Sequence, residues 1–133
     1  MNQKNKKIEP AFQNATKAIQ SLRSFLSMPV KNDRDRAGVI QAFEYCYETI
    51  WKLLQKIAEE QGMSVQTPKQ AFNCSFSMGF IVDEKIWLEM IESRNLTSHA
   101  YKEELAEQIF DKIKNTYISE FEKHILKIKK FLD

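Results

Sequence analysis

The fold is decided by the stretch from residue 33 to residue 61, which has the sequence DRDRAGVIQAFEYCYETIWKLLQKIAEEQ. Apolar residues recur there at steps of three and four, which predicts one long amphipathic helix. Val39, Cys46 and Leu53 widen this stripe to a second face. A helix that is apolar on two sides packs at the centre of a bundle. The main stripe consists of Ile40, Phe43, Tyr47, Ile50, Leu54 and Ile57.

The ends of this helix carry boundary signals. Asn32 or Asp33 suits the N-terminal cap, because a short polar side chain can accept a hydrogen bond from a free backbone N–H group. Gly62 suits the end of the helix, in the left-handed conformation. Asp33 and Asp35 also resemble the spaced aspartates that bind metals in nucleotidyltransferases, but those follow a Gly-Ser turn that this sequence lacks. Helix capping is therefore the better interpretation of these aspartates.

A first helix is predicted on the N-terminal side of this stretch. Because proline fits the first helical turn, we expect the helix to begin near Glu9-Pro10 and to end before Pro29. Residues 1–7 are polar and are predicted to be flexible. The apolar face of this helix consists of Phe12, Ala15, Ile19, Leu22 and Leu26.

Two short helices are predicted after residue 62. Thr67 and Gln70 have the spacing of a capping box, with proline in the first helical position. The helix that follows places Phe72 and Phe76 on one face and stops near Gly79. Asp83 is predicted to cap a fourth helix, in which Trp87 faces inward and forms a hydrophobic staple with Val82.

The last helix is predicted to begin near Thr97 or Ser98 and to carry a long apolar stripe. His124 lies on this helix without a signal for a partner, and we interpret it as a surface residue. The stripe consists of Leu105, Ile109, Ile113, Tyr117, Phe121, Ile125, Ile128 and Leu132.

Length and composition fit this arrangement. The chain of 133 residues is 43% hydrophobic and has only 3 glycines and 3 prolines, which favours a single domain of long helices. We therefore predict an all-α, antiparallel up-and-down bundle of four to five helices. A net charge of +2 does not by itself indicate a nucleic-acid-binding protein. The isolated Cys46 and Cys74 and the lack of a long apolar run predict a cytoplasmic protein without a metal site, a cofactor or a membrane span.

One short run places a permanent cation, an imidazole and a phenol close together: Arg94-Asn95-Leu96-Thr97-Ser98-His99-Ala100-Tyr101. On a continuous helix Arg94 and His99 point about 140° apart. A helix break at Asn95-Leu96-Thr97, with a left-handed Asn and a new Thr or Ser cap, would turn both into one notch. His99 would then lie at a helix N-terminus, where a phosphate is favoured. Arginine offers such an anion a bidentate fork, and histidine can exchange a proton with it.

A plainer interpretation of the same run stays open. Arg94 can pair with Glu92 or Glu103, His99 can be an ordinary surface residue, and Tyr101 can pack. The spacing alone does not decide between the two interpretations.

The sequence also resembles the HEPN superfamily of all-helical, RNA-associated proteins, through the pattern Arg-x4-His-x-Tyr between two helices. More specifically, residues 10–130 resemble the nucleotidyltransferase substrate-binding protein family. Further matching residues are Phe43-Glu44-Tyr45, Glu48, Trp51-Lys52, Thr67-Pro68-Lys69, Ala71-Phe72, Trp87-Leu88-Glu89-Met90-Ile91 and Leu105-Ala106.

The resemblance implies a homodimer that forms through the motif-bearing region and a partner, a separately encoded minimal nucleotidyltransferase. It implies a metal-independent ribonuclease toxin with Arg94 and His99 as catalytic residues, which the nucleotidyltransferase counters as antitoxin. Asn95, Ser98 and Tyr101 would bind nucleotide or RNA, and Tyr101 would accept adenylyl groups. The alternative is a non-catalytic subunit that binds a nucleotide or substrate for a two-component nucleotidyltransferase.

Overall fold

The computed structural model describes residues 5–133, and their side chains from Lys7 onward. All regular structure in this part of the chain is helical, which confirms the predicted all-α class. The elements are α1 (Asn5–Leu26), α2 (Asp33–Glu60), α3 (Pro68–Ser77), α4 (Glu84–Leu96), a 3-10 turn (Thr97–His99), α5 (Glu103–Lys112), a π turn (Ile113–Tyr117) and α6 (Ile118–Leu132). Because the π turn joins α5 and α6 without interruption, the described residues form five helical rods.

Helix α2 is the centre of the bundle, as its two apolar faces predicted. Both stripes are buried, and burial raises the pKa of the Cys46 thiol to about 12. Asn32 is the N-cap, since its side-chain Oδ1 accepts a hydrogen bond from the Asp35 backbone N–H at 2.8 Å. Gly62 follows the helix with φ +82°, the left-handed conformation that glycine adopts without steric cost.

Helix α1 begins at Asn5, earlier than the predicted start near Glu9-Pro10. The extension is held by Ile8, whose side chain is buried in the core. Pro10 lies close enough to the start that its missing N–H removes only one early helical bond. The helix ends at Leu26, before Pro29, as predicted. The predicted flexible tail falls partly on residues 1–4, which lie outside the described residues.

Helices α3 and α4 differ from the sequence prediction in two side chains. Phe72 is buried, but Phe76 is 44% exposed and does not share the core face. Asp83 occupies the N-cap position of α4, yet Val82 is 75% exposed, so the predicted staple with Trp87 is absent. Trp87 instead packs against Phe72 and Phe121, with ring centroids 5.1 and 5.8 Å away.

The last rod begins at Glu103, later than the predicted Thr97 or Ser98. Its long apolar stripe is confirmed, with Ile109, Ile113, Tyr117 and Phe121 all buried. These residues advance by four per step, whereas an α-helix turns once every 3.6 residues. The π turn accommodates the extra residue and keeps the stripe on the buried side.

His124 is buried, which corrects its interpretation as a surface residue. Only 1% of it is exposed, its Nε2 lies 2.8 Å from Ser75 Oγ, and its ring centroid lies 4.5 Å from that of Trp87. Burial, and then the charge of Lys127, lower its pKa to about 3. Nδ1 has no hydrogen-bond partner among the described residues. Because a buried N–H without a partner costs more than a free lone pair, we assign the proton to Nε2, which donates to Ser75.

Candidate functional site

Residues 94–101, here called the motif turn, connect α4 to α5 without a left-handed residue. Helix α4 continues to Leu96, a 3-10 turn follows, and the chain leaves helical geometry at Lys102, with ψ 114°. The α-helix thus ends within the predicted break at Asn95-Leu96-Thr97, but the predicted left-handed Asn was wrong. The Thr97 and Ser98 hydroxyls lie 2.7 and 3.0 Å from the carbonyl oxygens of Arg94 and Asn95, so they close the end of α4 and do not cap α5.

Arg94 is held by acidic residues of α2. Its Nη1 lies 2.9 Å from Glu44 Oε2 and 3.0 Å from Thr97 Oγ1. Its Nε lies 3.9 Å from Glu48 Oε1, and this buried atom has no hydrogen-bond partner among the described residues. The predicted pairing with Glu92 or Glu103 was wrong, because the carboxylates that reach Arg94 come from the neighbouring helix.

The carboxylates around Arg94 are themselves oriented. Trp51 Nε1 donates to Glu48 Oε2 at 3.0 Å, and Thr97 Oγ1 lies 3.0 Å from Glu44 Oε2. These contacts join α2 to the motif turn and fix the position of the guanidinium group. Arg94 keeps 31% of its side chain exposed.

His99 and Tyr101 lie on the outside of the motif turn. Their ring centroids are 6.2 Å apart with planes at 68°, and Tyr101 is 78% exposed. Neither residue is in the first turn of a helix, since His99 ends the 3-10 turn and Tyr101 precedes the N-cap of α5. The prediction that His99 lies at the N-terminus of the last helix was therefore wrong. Asn95 and Ser98 are exposed on the same turn.

A cleft of about 410 Å³, here called the motif cleft, lies between the N-terminal half of α2 and the motif turn. Tyr101, Thr97 and Glu44 contribute to its wall. Arg94 and His99 are not among the described residues that line it. The structure thus places Arg94 against α2, His99 exposed on the motif turn and Tyr101 in the lining of the cleft.

Asp33 and Asp35 have local partners at the start of α2. Asp35 Oδ2 accepts from the Lys31 backbone N–H at 3.0 Å, and Asp33 Oδ1 lies 3.1 Å from Arg36 Nη1. Within residues 5–133, no three His, Cys, Asp or Glu side chains are placed to share a metal ion. No described helix is long and apolar enough to span a bilayer.

The fold and the motif turn define a small all-α protein in which one arginine, one histidine and one tyrosine share an exposed turn. A family model described as nucleotidyltransferase substrate binding protein like matches residues 10–130. The chain belongs to this family.

The chain is also similar to solved structures and to a curated protein. A Thermus thermophilus protein of known crystal structure has 30% identity and a TM-score of 0.77, over 85% of this chain and 97% of that one. A Haemophilus influenzae structure, described as the fold of a substrate binding domain of a nucleotidyltransferase, has 22% identity and a TM-score of 0.67, over 92% and 96% of the two chains. This likeness concerns the fold.

The curated relative is a Haemophilus influenzae protein named "Probable ribonuclease HepT". It is 28% identical over 82 residues, which cover 58% of this chain and 56% of that protein. The similarity thus spans little more than half the length of the relative.

Proposed function

We propose that this protein is a HEPN-type endoribonuclease that cleaves RNA without a metal ion, acting as the toxin of a toxin–antitoxin pair. The observation that carries the proposal is the exposed imidazole of His99 on a turn anchored to the central helix through Arg94 and Glu44. The similarity to a relative named as a probable ribonuclease supports it. A separately encoded minimal nucleotidyltransferase would be the antitoxin, which fits the family to which the chain belongs.

The cleavage reaction requires two proton transfers, one from the attacking 2′-oxygen and one to the leaving 5′-oxygen. A base takes the proton of the ribose 2′-OH, the 2′-oxygen forms a bond to phosphorus, and the bond from phosphorus to the 5′-oxygen breaks. An acid returns a proton to the leaving 5′-oxygen, so that the products are a 2′,3′-cyclic phosphate and a 5′-hydroxyl. His99 is the proposed acid or base, since an imidazole can take or give a proton.

Arg94 is the proposed charge stabiliser for the phosphate in the transition state. Its Nη1 is engaged by Glu44 and Thr97 and its Nε is buried, so the phosphate would meet Nη2 of the guanidinium group. The contact with Glu44 holds the group in a fixed orientation before substrate arrives. Asn95 and Ser98, exposed on the same turn, are proposed to contact the RNA backbone.

A two-fold homodimer through the motif turn is part of the proposal. Leu96 is 42% exposed on this turn, which leaves apolar surface for a second copy. A two-fold axis would bring two His99 residues to one gap. Light scattering at micromolar concentration tests this, and a monomer would contradict it.

A second candidate is a non-catalytic subunit that presents a nucleotide to the nucleotidyltransferase. The observation that favours it is the engagement of Arg94 Nη1 by Glu44 and Thr97, since it leaves fewer guanidinium N–H groups to stabilise the charge of a cleavage transition state. In this case the protein would bind nucleotide or RNA without cleaving it.

RNA cleavage by the purified protein in excess chelator tests the proposal. We expect cleavage by the parent protein and a loss of roughly 100-fold or more in His99→Ala and in Arg94→Ala. Gln108→Ala, an exposed polar residue on α5, is the control and should cleave normally. RNA that is bound but stays intact would favour the binding subunit.

Tyr101 is the proposed site at which the nucleotidyltransferase inactivates the protein. Its hydroxyl would attack the α-phosphate of a nucleoside triphosphate and release pyrophosphate, and its 78% exposure leaves it open to another protein. Intact mass after co-expression with the neighbouring nucleotidyltransferase should show added adenylyl units, absent in Tyr101→Phe. An unchanged mass, or a gain that persists in the variant, would contradict this assignment.

A further inference from the structure

The motif cleft lies beside the proposed catalytic groups but is a separate surface. Arg94 and His99 do not line it among the described residues, while Tyr101 stands at its edge with an exposed ring. Its volume of about 410 Å³ is sufficient for a flat aromatic ligand with its sugar. The walls are largely apolar and are formed by Ala37, Ile40, Ala100 and Ala106.

The polar lining of the motif cleft is mostly acidic. Asp33, Glu44 and Glu103 contribute carboxylates, and Arg36 is the cation that lines the cleft. The guanidinium group of Arg36 is already engaged, at 3.1 Å from Asp33 Oδ1 and 3.5 Å from Glu107 Oε1. A phosphate would thus meet net negative charge, whereas a neutral ligand that carries N–H donors would meet acceptors.

We propose that the motif cleft binds the base of a nucleotide next to the cleaved phosphate and selects bases with an exocyclic amino group. Cytosine, adenine and guanine carry such donors, and uracil carries a carbonyl oxygen in their place. Carboxylates accept hydrogen bonds from base amino groups, and aromatic side chains stack on unpaired RNA bases. The base would belong to the RNA substrate of the proposed ribonuclease activity, on which this assignment rests.

Glu44 connects this base site to the phosphate site. Its Oε2 engages Arg94 and Thr97, and a carboxylate has a second oxygen that accepts independently. The same side chain also lines the motif cleft. A base bound there would therefore be placed relative to Arg94 through one shared residue.

The matched variants are Ala37→Leu and Gln41→Leu. Both place a leucine at an exposed position of α2, so neither disturbs the core. Residue 37 lines the motif cleft, whereas residue 41 lines a different groove, against α1. A leucine at position 37 should fill the cleft, and one at position 41 should leave it open.

The measurement is nucleoside titration of the isotope-labelled protein, followed through backbone amide signals by NMR. Cytidine and adenosine should shift the signals of Thr97 and Ala100, and uridine should bind about tenfold more weakly, within the range for one amino–carboxylate contact. Inorganic phosphate and methylammonium are the two further probes and should leave these signals unchanged. Ala37→Leu should abolish the shifts and Gln41→Leu should retain them.

Equal binding of uridine and cytidine, or shifts that persist in Ala37→Leu, would overturn the base site. Saturation by phosphate or by methylammonium would do the same and would make the cleft an anion site or a site for a cationic side chain. Because free nucleosides are not cleaved, this readout is independent of catalysis. Selective nucleoside binding without RNA cleavage would refute the ribonuclease alone, and cleavage without selective binding would refute the base site alone.

Discussion

The two histidines lie in opposite surroundings. His99 is exposed on the motif turn, whereas His124 is 1% exposed in the core beside Ser75 and Trp87. The exposed ring can reach a ligand, while the buried ring is held neutral by a low pKa. A histidine's chemistry thus follows from what surrounds it, and each region can be tested against the other.

The largest expected effect is the removal of the buried ring. His124→Ala should lower the free energy of unfolding by about 3 kcal/mol, near the range for truncating a buried aromatic side chain. His99→Ala should change it by less than about 0.5 kcal/mol, because the side chain is exposed. Urea denaturation followed by circular dichroism measures both, and similar losses in the two variants would break the comparison.

Acid should destabilise the protein through His124. Above pH 6.5 the ring is neutral in both states, so it contributes no pH dependence. Between pH 6.5 and about 3 the unfolded chain binds a proton that the folded protein excludes, so stability falls by about 1.4 kcal/mol per pH unit from this group.

The matched variant for this pH dependence is His124→Gln, because glutamine does not titrate. Its free energy of unfolding should change less between pH 7 and 5 than that of the parent protein. The interval avoids Glu122, whose pKa is lowered by its hydrogen bond to Arg23 and which acts only at more acidic pH. An unchanged slope in His124→Gln would mean that another group titrates on unfolding.

A pair of tyrosines extends the comparison with a smaller effect. Tyr117 is buried and its hydroxyl lies 2.7 Å from Ser93 Oγ and 2.9 Å from Glu89 Oε1, whereas Tyr101 is 78% exposed. Tyr117→Phe should lower the free energy of unfolding by about 1–2 kcal/mol, because Ser93 and Glu89 lose their hydrogen-bond partner. Tyr101→Phe should be neutral within about 0.5 kcal/mol. A destabilised Tyr101→Phe, measured by thermal unfolding, would show that its hydroxyl is bonded in solution.

The smallest expected effect lies within the motif region itself. Glu44→Gln should destabilise by about 1 kcal/mol, because it removes a charge-assisted contact with a largely covered Arg94. Glu48→Gln should cost less, since its oxygen is 3.9 Å from Arg94 Nε. A double-mutant cycle with Arg94→Lys measures each coupling, and a larger coupling for Glu48 would reverse this ranking.

Sequence periodicity predicted the helices well because each buries an apolar stripe, and α2 buries two. The same rule could have found His124, since Tyr117, Phe121, His124 and Ile128 follow steps of four, three and four. The predicted stripe has Ile125 at that turn, because the sequence near His124 shows no partner for its ring. His124 can be buried because its ring is hydrogen-bonded to the Ser75 hydroxyl, which lies 49 residues away in the sequence.

The motif residues were visible in sequence, but their partners were not. Glu44 and Glu48 lie about fifty residues before Arg94, and no local spacing indicates which carboxylates reach a given guanidinium group. The helix start at Glu103 was missed for a related reason. Thr97 and Ser98 are good N-caps by type, but their hydroxyls bond back to carbonyl oxygens of α4.

The positions of the two tryptophans give each region its own optical probe. Trp51 donates a hydrogen bond to Glu48, which lies beside Arg94. The ring centroids of Trp87 and His124 are 4.5 Å apart. Fluorescence from Trp51 should respond to ligands that disturb the carboxylates of the motif region, while emission from Trp87 should follow the integrity of the core. With only 2 tryptophans in the chain, Trp51→Phe separates the two signals, so occupancy and unfolding can be recorded from one cuvette without an added label.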